Sequence, residues 1–400
     1  MMIIPMLLAL GGCDKAPSQP EPSKEFTPIV LTKAEEDINT GVNEFGLTLY
    51  RSLYNKEQEF ISPLSVSLAL SMTAYGARGT TEEQMIATLG FGGATRDQVG
   101  GYYKKMVPAL IAADDRTTLE IANSIWVKDK ISLKTDFSNG VKDYFSAEIF
   151  SRDFSSKSLI SEINNWCSDK THGLIKKAAD NLDPSTLMAL VNALYFNGKW
   201  TDEFDKAQSG KFSALNSQKT DVKLMSRTAS YAYAQADGYR MVSVPYGNGA
   251  YVMDVILPED SSPDAFHAAV KGLTWMQYSS LIGAQRGARV CLTLPVFKME
   301  YDVELQDILA AMGMPAAFGG GADFSGITQD AALCIGQVIH KTLVDVDEKG
   351  TEAAAVTIVG MKATSAAPSD MVYFTADRPF IFAIRETSTN ALLFIGHKVK

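Results

Sequence analysis

The sequence has little of what common enzyme mechanisms need. Its 400 residues include four histidines, His172, His267, His340 and His397, and no HExxH pair. That excludes the helical zinc site of a metalloprotease. There is no GxSxG, so the strained serine turn of an α/β-hydrolase is excluded too. Phe318-Gly319-Gly320-Gly321 is glycine-rich, but no lysine follows to hold a phosphate, and the stretch reads as a surface turn. No enzymatic activity, metal site or cofactor is expected. Basic charge is also short. Lys and Arg number 37 against 46 Asp and Glu, a net charge of −9, which excludes a sequence-independent grip on nucleic acid.

Cysteine is scarce: Cys13, Cys167, Cys291 and Cys334, with no CxxC. The most apolar N-terminal stretch, Ile3–Leu10, is far too short to span a bilayer and fits the apolar part of an export signal. Leu10-Gly11-Gly12-Cys13 resembles a bacterial lipobox, in which cleavage precedes the cysteine and its thiol is acylated. Lipidation of Cys13 leaves three cysteines, an odd number. A disulfide framework is therefore not expected, and the remaining thiols read as free and buried. Residues 1–12 are expected to be a signal peptide. Residues 13–30, with Pro17, Pro20, Pro22 and Pro28 among polar residues, read as a flexible tether. The protein is expected to be exported and lipid-anchored to a bacterial cell envelope, at the outer membrane or cell surface, or alternatively secreted.

Folded patterning starts near Leu31. Ile38, Val42, Phe45 and Leu49 recur at helical spacing. Ser62-Pro63 supplies an N-cap and first-turn proline for a second helix ending near Gly76. Thr81-Glu82-Glu83-Gln84 reads as a capping box opening a third. Later segments read as strands: the nearly unbroken apolar run Leu187–Phe196, then Tyr251–Leu257, Val290–Phe297, Ile335–Val346, Met371–Thr375, Pro379–Arg385 and Ala391–Lys398. Helices early and strands late give an α+β layout around large, mostly antiparallel sheets.

Several stretches then combine. ISPLSVSLALSMTAYGARGTTEEQM (61–85), INNWCSDKTHGLI (163–175) and VNALYFNGKW (191–200) occur in that order. LPVFKMEYDVELQDILAAMGM (294–314), HKTLVDVDEKGTEAAA (340–355) and FTADRPFIFAIRE (374–386) follow. Together they resemble the serpin family. The resemblance implies one domain over 31–400, with three β-sheets, about nine helices and an exposed reactive-centre loop near 348–370. It further implies that Ser62, Ser65, Asn192 and His340 lie beneath the point where the main sheet opens. Trp200 would stand at the top of that sheet. Asn192, a polar residue in an apolar strand, and His340, in the strand leading to the loop, stand out even without the resemblance. In some serpins a basic residue faces the glutamate matching Glu348. Here that place is Val296, with Lys298 two residues on as a substitute.

The loop can be read from its own residues. Gly350, after Glu348, is a candidate pivot because glycine accepts either sign of φ. In Thr351-Glu352-Ala353-Ala354-Ala355-Val356-Thr357, alternation puts Thr351, Ala353, Ala355 and Thr357 on one face, all small. No proline occurs from Leu343 to Ala367, so every N–H remains available to a central strand. Such a segment can be cleaved by a protease, form an acyl-enzyme and insert into the main sheet. Fifteen residues at about 3.3 Å each would carry the attached protease roughly 50 Å. The resemblance places the cut at the sixteenth residue after the hinge glutamate, giving Thr364–Ser365, with Lys362–Ala363 as the alternative. Small Thr364 suits an elastase-like or subtilisin-like serine protease; Lys362 would suit a trypsin-like enzyme, and a cysteine protease is a further alternative. The protein is expected to act as a monomer and to meet a membrane only through its lipid. The rival reading is a non-inhibitory serpin used for binding or as a chaperone.

Replacing Cys13 by Ser is expected to release the protein from membranes. Fractionation after a salt wash checks this, and persistent membrane partitioning would refute the lipobox.

Overall fold

The computed structural model describes residues 25–182, 186–351 and 371–400. Cys13 and the loop positions Glu352, Ala353, Ala354, Ala355, Thr357, Lys362, Ala363, Thr364 and Ser365 lie outside the described residues.

The helical half opens with α1 (Lys33–Leu53), where Thr32 and Glu35 form a capping box and Ile38, Val42, Phe45 and Leu49 are buried. β1 (Glu59–Ile61) leads into α2 (Pro63–Gly76), capped by Ser62 through the Ser65 amide. α3 (Gly79–Thr88) starts before the expected capping box, with Arg78 at the N-cap and no side-chain cap. The Thr81 hydroxyl instead accepts the Asp323 amide at 2.9 Å, a tertiary bond that outcompetes the local one. α4 (Arg96–Ile111), β2 (Thr117–Lys128), α5 (Thr135–Phe145), β3 (Glu148–Arg152) and α6 (Leu159–Lys170) follow.

The second half supplies β4 (Met188–Lys199), β5 (Gln208–Ser213), β6 (Lys219–Ala236), β7 (Tyr239–Tyr246) and β8 (Tyr251–Pro258). After α7 (Pro263–Gly272) and α8 (Trp275–Ala284) come β9 (Arg286–Pro295) and β10 (Phe297–Glu304), so Val296 breaks what the sequence suggests is one strand. α9 (Gln306–Met312) precedes β11 (Ile339–Val346), β12 (Gly350–Thr351), β13 (Val372–Thr375), β14 (Phe380–Glu386) and β15 (Leu392–Lys398). The described residues thus hold nine α-helices in an α+β fold.

One sheet has the order β10-β11-β12-β4-β2-β3. The other nine strands form one hydrogen-bonded sheet built around the long strand β6. Its end pairs with β7 and, through β8, β14 and β15, with β1. Its earlier residues pair with β9 and β5, and β13 lies parallel to β9 at the edge. Hydrogen bonding therefore runs through all nine strands.

The six-stranded sheet is covered on both faces. The main core packs on one. On the other, α6 sets Leu159, Ile163, Trp166 and Cys167 against Trp126 and Ala193. Double cover explains the apolar run in β4. Packed chain also begins earlier than the periodicity suggests: Phe26, Ile29 and Leu31 rest on the core, and the Ile29 amide donates to Ser388 at 2.9 Å. Among the described residues no helix is long and apolar enough to cross a membrane.

Candidate functional site

The site is the stretch of the six-stranded sheet where, among the described residues, β4 and β11 have no pairing with each other. β4 pairs with β2 along its whole length, and β11 pairs with β10 over eight positions. Between β4 and β11, the described residues supply only β12. It makes two pairs to β4, Gly350 to Lys199 and Thr351 to Gly198, and one to β11, Thr351 to Val346. Below that, the two strands face each other across a gap. Leu190, Asn192, Gln337, Ile339 and Lys341 line it, with Cys167 of α6 at its side. Buried backbone groups without a ladder partner are costly. The gap also holds a side-chain orphan, the Gln337 Oε1, which is buried with no hydrogen-bond partner. Such an atom costs about 1–3 kcal/mol.

At the upper end, the hinge is already seated in the sheet. A Cβ on Gly350 would lie 2.1 Å from the Gly198 carbonyl oxygen. Glycine is required there for close approach to β4, and Gly350 is not among the residues with positive φ, so the pivot argument gave the right residue for the wrong reason. Thr351 is buried, and its hydroxyl meets the Tyr246 hydroxyl at 2.7 Å on the core side of the sheet. Trp200 stacks on Tyr246 with ring centroids 4.3 Å apart and donates Nε1–H to the Asp347 carbonyl at 2.9 Å. The Asp347 carboxylate accepts the amides of Lys349 and Gly350 at 2.8 and 3.1 Å. Burial raises its pKa, against the pull of those two bonds.

Glu348 has no basic partner in this arrangement. Its Oε1 accepts the Ala207 amide at 2.8 Å, and its carbonyl accepts the Phe204 amide at the same distance. Lys298 pairs with Asp345 instead, at 3.4 Å, so it does not substitute for the basic residue that Val296 replaces.

Midway down, four singled-out residues meet beneath the gap. The Ser62 amide donates to His340 Nε2 at 2.9 Å, and the Ser65 hydroxyl donates to Asn192 Oδ1. The Ser65 amide donates to Ser62 Oγ at 3.2 Å, which joins the two pairs. α2 begins at this point, so one N-cap holds both walls of the gap: β4 through Asn192 and β11 through His340. Asn192 also donates to Asn123 Oδ1, its cross-strand neighbour, at 2.6 Å, and Asn123 donates to the Phe145 carbonyl at 2.9 Å. Asn123 sits in Ile121-Ala122-Asn123-Ser124-Ile125, the same polar-in-apolar signal that marked Asn192. Tyr246 and Thr342 carry no comparable local signal.

Burial alone drives the His340 pKa down to about 4. The ring is neutral and accepts at Nε2. Cys167 is buried, with its thiol raised to about 11 by burial, and is unreactive at neutral pH. Cys291 is half-buried, and Cys334 is exposed rather than buried because it lies in the irregular segment before β11. Among the described residues no cluster could hold a metal ion.

His340 gives a pH prediction. Its folded pKa lies below the unfolded value of about 6.5. The unfolded chain therefore takes up a proton that the folded chain refuses. Stability is full above about 6.5 and falls as pH drops towards about 4. The loss from His340 approaches about 3 kcal/mol. His340→Gln, which keeps an acceptor, is expected to flatten this part of the urea-midpoint profile between pH 7 and 4.5. An unchanged slope would show that His340 does not carry it.

Comparison with known proteins agrees with this architecture. Residues 40–400 match the family described as "Serpin (serine protease inhibitor)". Iripin-1 of Ixodes ricinus is 35% identical over 365 residues, which cover 88% of this chain and 92% of that protein. The crystal structure of the thermophilic serpin tengpin in its native state superimposes with a TM-score of 0.84 at 32% identity, covering 94% and 97% of the two chains. Thyroxine-binding globulin in complex with thyroxine gives a TM-score of 0.81 at 26% identity, covering 91% and 99%. The matched length, the ordered motifs and the open main sheet lead to one conclusion: this chain belongs to the serpin family.

Proposed function

We propose that this protein inhibits serine proteases as a suicide substrate, and that its own unfilled sheet drives the trapping step. The supporting observation is the hinge. Gly350 and Thr351 pair as a strand between β4 and β11, and the described residues supply no further pairs in that place. Thr351 points to the core side. Strand alternation then sends Ala353, Ala355 and Thr357 inward as insertion continues, and all three are small enough to pass over a packed interior.

The chemistry is supplied by the protease. Its serine oxygen attacks the carbonyl carbon of Thr364, the bond to the Ser365 nitrogen breaks, and that nitrogen leaves as an amine after taking a proton from the protease. The freed segment then has backbone donors and acceptors that match the unladdered edges of β4 and β11. Insertion drags the acylated protease along the sheet. Distortion that removes one oxyanion-hole donor slows deacylation by about 10²–10³. The reactive loop contributes cleavability and proline-free strand chemistry; the gap contributes the free-energy gradient. The target is an elastase-like or subtilisin-like enzyme, met at a bacterial envelope where Cys13 carries the lipid.

Ala353→Arg would drive an unpaired charge into the core face. Cleavage is expected to continue while the SDS-stable protease adduct disappears. Undiminished adduct would refute the insertion face, and a wild-type protein that is turned over without any adduct would favour the non-inhibitory reading.

The reactive bond is tested by two separate changes, Thr364→Arg and Lys362→Ala. Inhibition of an elastase-like protease is expected to be lost with the first and kept with the second. The opposite pattern would move the bond to Lys362–Ala363.

A further inference from the structure

Glu59, in β1, is a carboxyl that the trapping chemistry does not use, and it is wholly buried. Its Oε1 accepts one bond, from the Asn55 amide at 3.0 Å, and its Oε2 is buried with no partner. The groups around it are committed elsewhere. His397 of β15 is its cross-strand neighbour. That ring takes the Tyr50 hydroxyl on Nδ1 at 2.8 Å and gives its Nε2–H to the Glu57 carbonyl at 2.6 Å. With both nitrogens used, the imidazole is neutral and has no proton for Glu59. Tyr54, the residue just after α1, is paired with His267 of α7. Tyr301 faces Glu59 from β10 and, like Tyr50 and Tyr54, feels its charge. β11 presents Thr342 and the neutral His340. In the adjoining loop Lys56 lies near His267, and Glu57 is paired with Lys400 at 3.1 Å. Among the described residues no cation is bonded to Glu59.

β1 is also the strand through which one sheet grips the other. On one side it pairs with β15 over Glu59–Ile61. On the other, the Phe60 carbonyl accepts the Thr342 hydroxyl and the Ser62 amide donates to His340, both on β11. β11 is the wall of the gap. A charge placed at Glu59 therefore strains the seat of the segment that holds that wall.

We propose that Glu59 is a proton-operated latch on the main sheet: protonated, it lets β1 hold β11 in place beside the gap; ionised, it loosens β1 and shortens the life of the native state. This inference does not depend on protease inhibition. The proton has a physical reason to stay, since burial raises the Glu59 carboxyl to about 7. That lies above the ordinary value of about 4.3, so the penalty is absent below the ordinary value, grows as pH rises, and is complete above about 7. His340 and His397, both held near 4 by burial, oppose this trend between about 6.5 and 4. A test must therefore compare two proteins at each pH.

The test uses the full chain, wild type and Glu59→Gln, incubated at fixed temperature between pH 5 and 8.5. Loss of the native form is followed on urea-gradient gels. The histidines are common to both proteins, so the ratio of the two rates isolates Glu59. It is expected to be near one at pH 5 and to reach about tenfold, wild type faster, by pH 8. A ratio that does not change with pH overturns the latch. Should the variant fail to fold, wild-type protein labelled with ¹³C in its glutamate carboxyls answers the same question. One carboxyl is expected to titrate near 7, with the amides of residues 60–62 and 339–346 losing hydrogen-exchange protection along the same curve. Protection there that ignores this titration, or no such carboxyl, overturns it equally.

Discussion

The facing edges of β4 and β11, between which the described residues place only β12, govern the rest of this molecule. Backbone amides and carbonyls inside a sheet demand partners. The sheet is shielded by α6 on one face and the main core on the other, so no other strand can reach the gap from above or below. At its top stands β12. Residues at that point are chosen for closeness: Gly350 against Gly198, Trp200 flat on Tyr246.

Two kinds of restraint then divide the gap. At the top, the hinge is held by backbone-directed bonds from Trp200, Asp347 and Ala207. In the middle, a single helix start reaches both walls, the Ser65 hydroxyl on Asn192 and the Ser62 backbone amide on His340. Separating the walls to admit a strand must disturb one or both contacts. Neutrality suits this junction, because a charged imidazole has no acceptor free at its Nε2 and nothing there to compensate it. The restraint is therefore made of a few uncharged hydrogen bonds, each worth about 1 kcal/mol net, strong enough in combination to hold and weak enough to yield.

Much of this was legible in the sequence wherever the deciding chemistry is local. Ser62-Pro63 announces a helix start, and α2 begins there. The period of Ile38, Val42, Phe45 and Leu49 gives a buried helix face, and the apolar run of β4 gives a doubly covered strand. Asn192 and His340 stood out as polar residues in apolar strands. Where the deciding partner is remote, the sequence was silent or misleading. Thr81 has capping chemistry but spends its hydroxyl on Asp323. Glu348 looked in need of a cation and found an amide. Glu59 reads as an ordinary surface carboxylate beside Gln58, and only the fold shows that β15, α1 and β10 enclose it. Strand β6 pairs with three different strands, β5, β7 and β9, which no periodicity along it could announce.

The order of strands along the chain has a consequence for what is left after use. The segment 352–370 lies between β12 and β13, so a single cut there divides the polypeptide while leaving β13, β14 and β15 on the shorter piece. That piece is no loose tail. β14 sits between β8 and β15 in the interior of its sheet, with Phe380, Phe382 and Ile384 buried, and β15 in turn supports β1. Covalent continuity and structural cohesion are thus uncoupled in this architecture. A chain cut there would stay together as two interlocked pieces, the shorter one held through β13, β14 and β15.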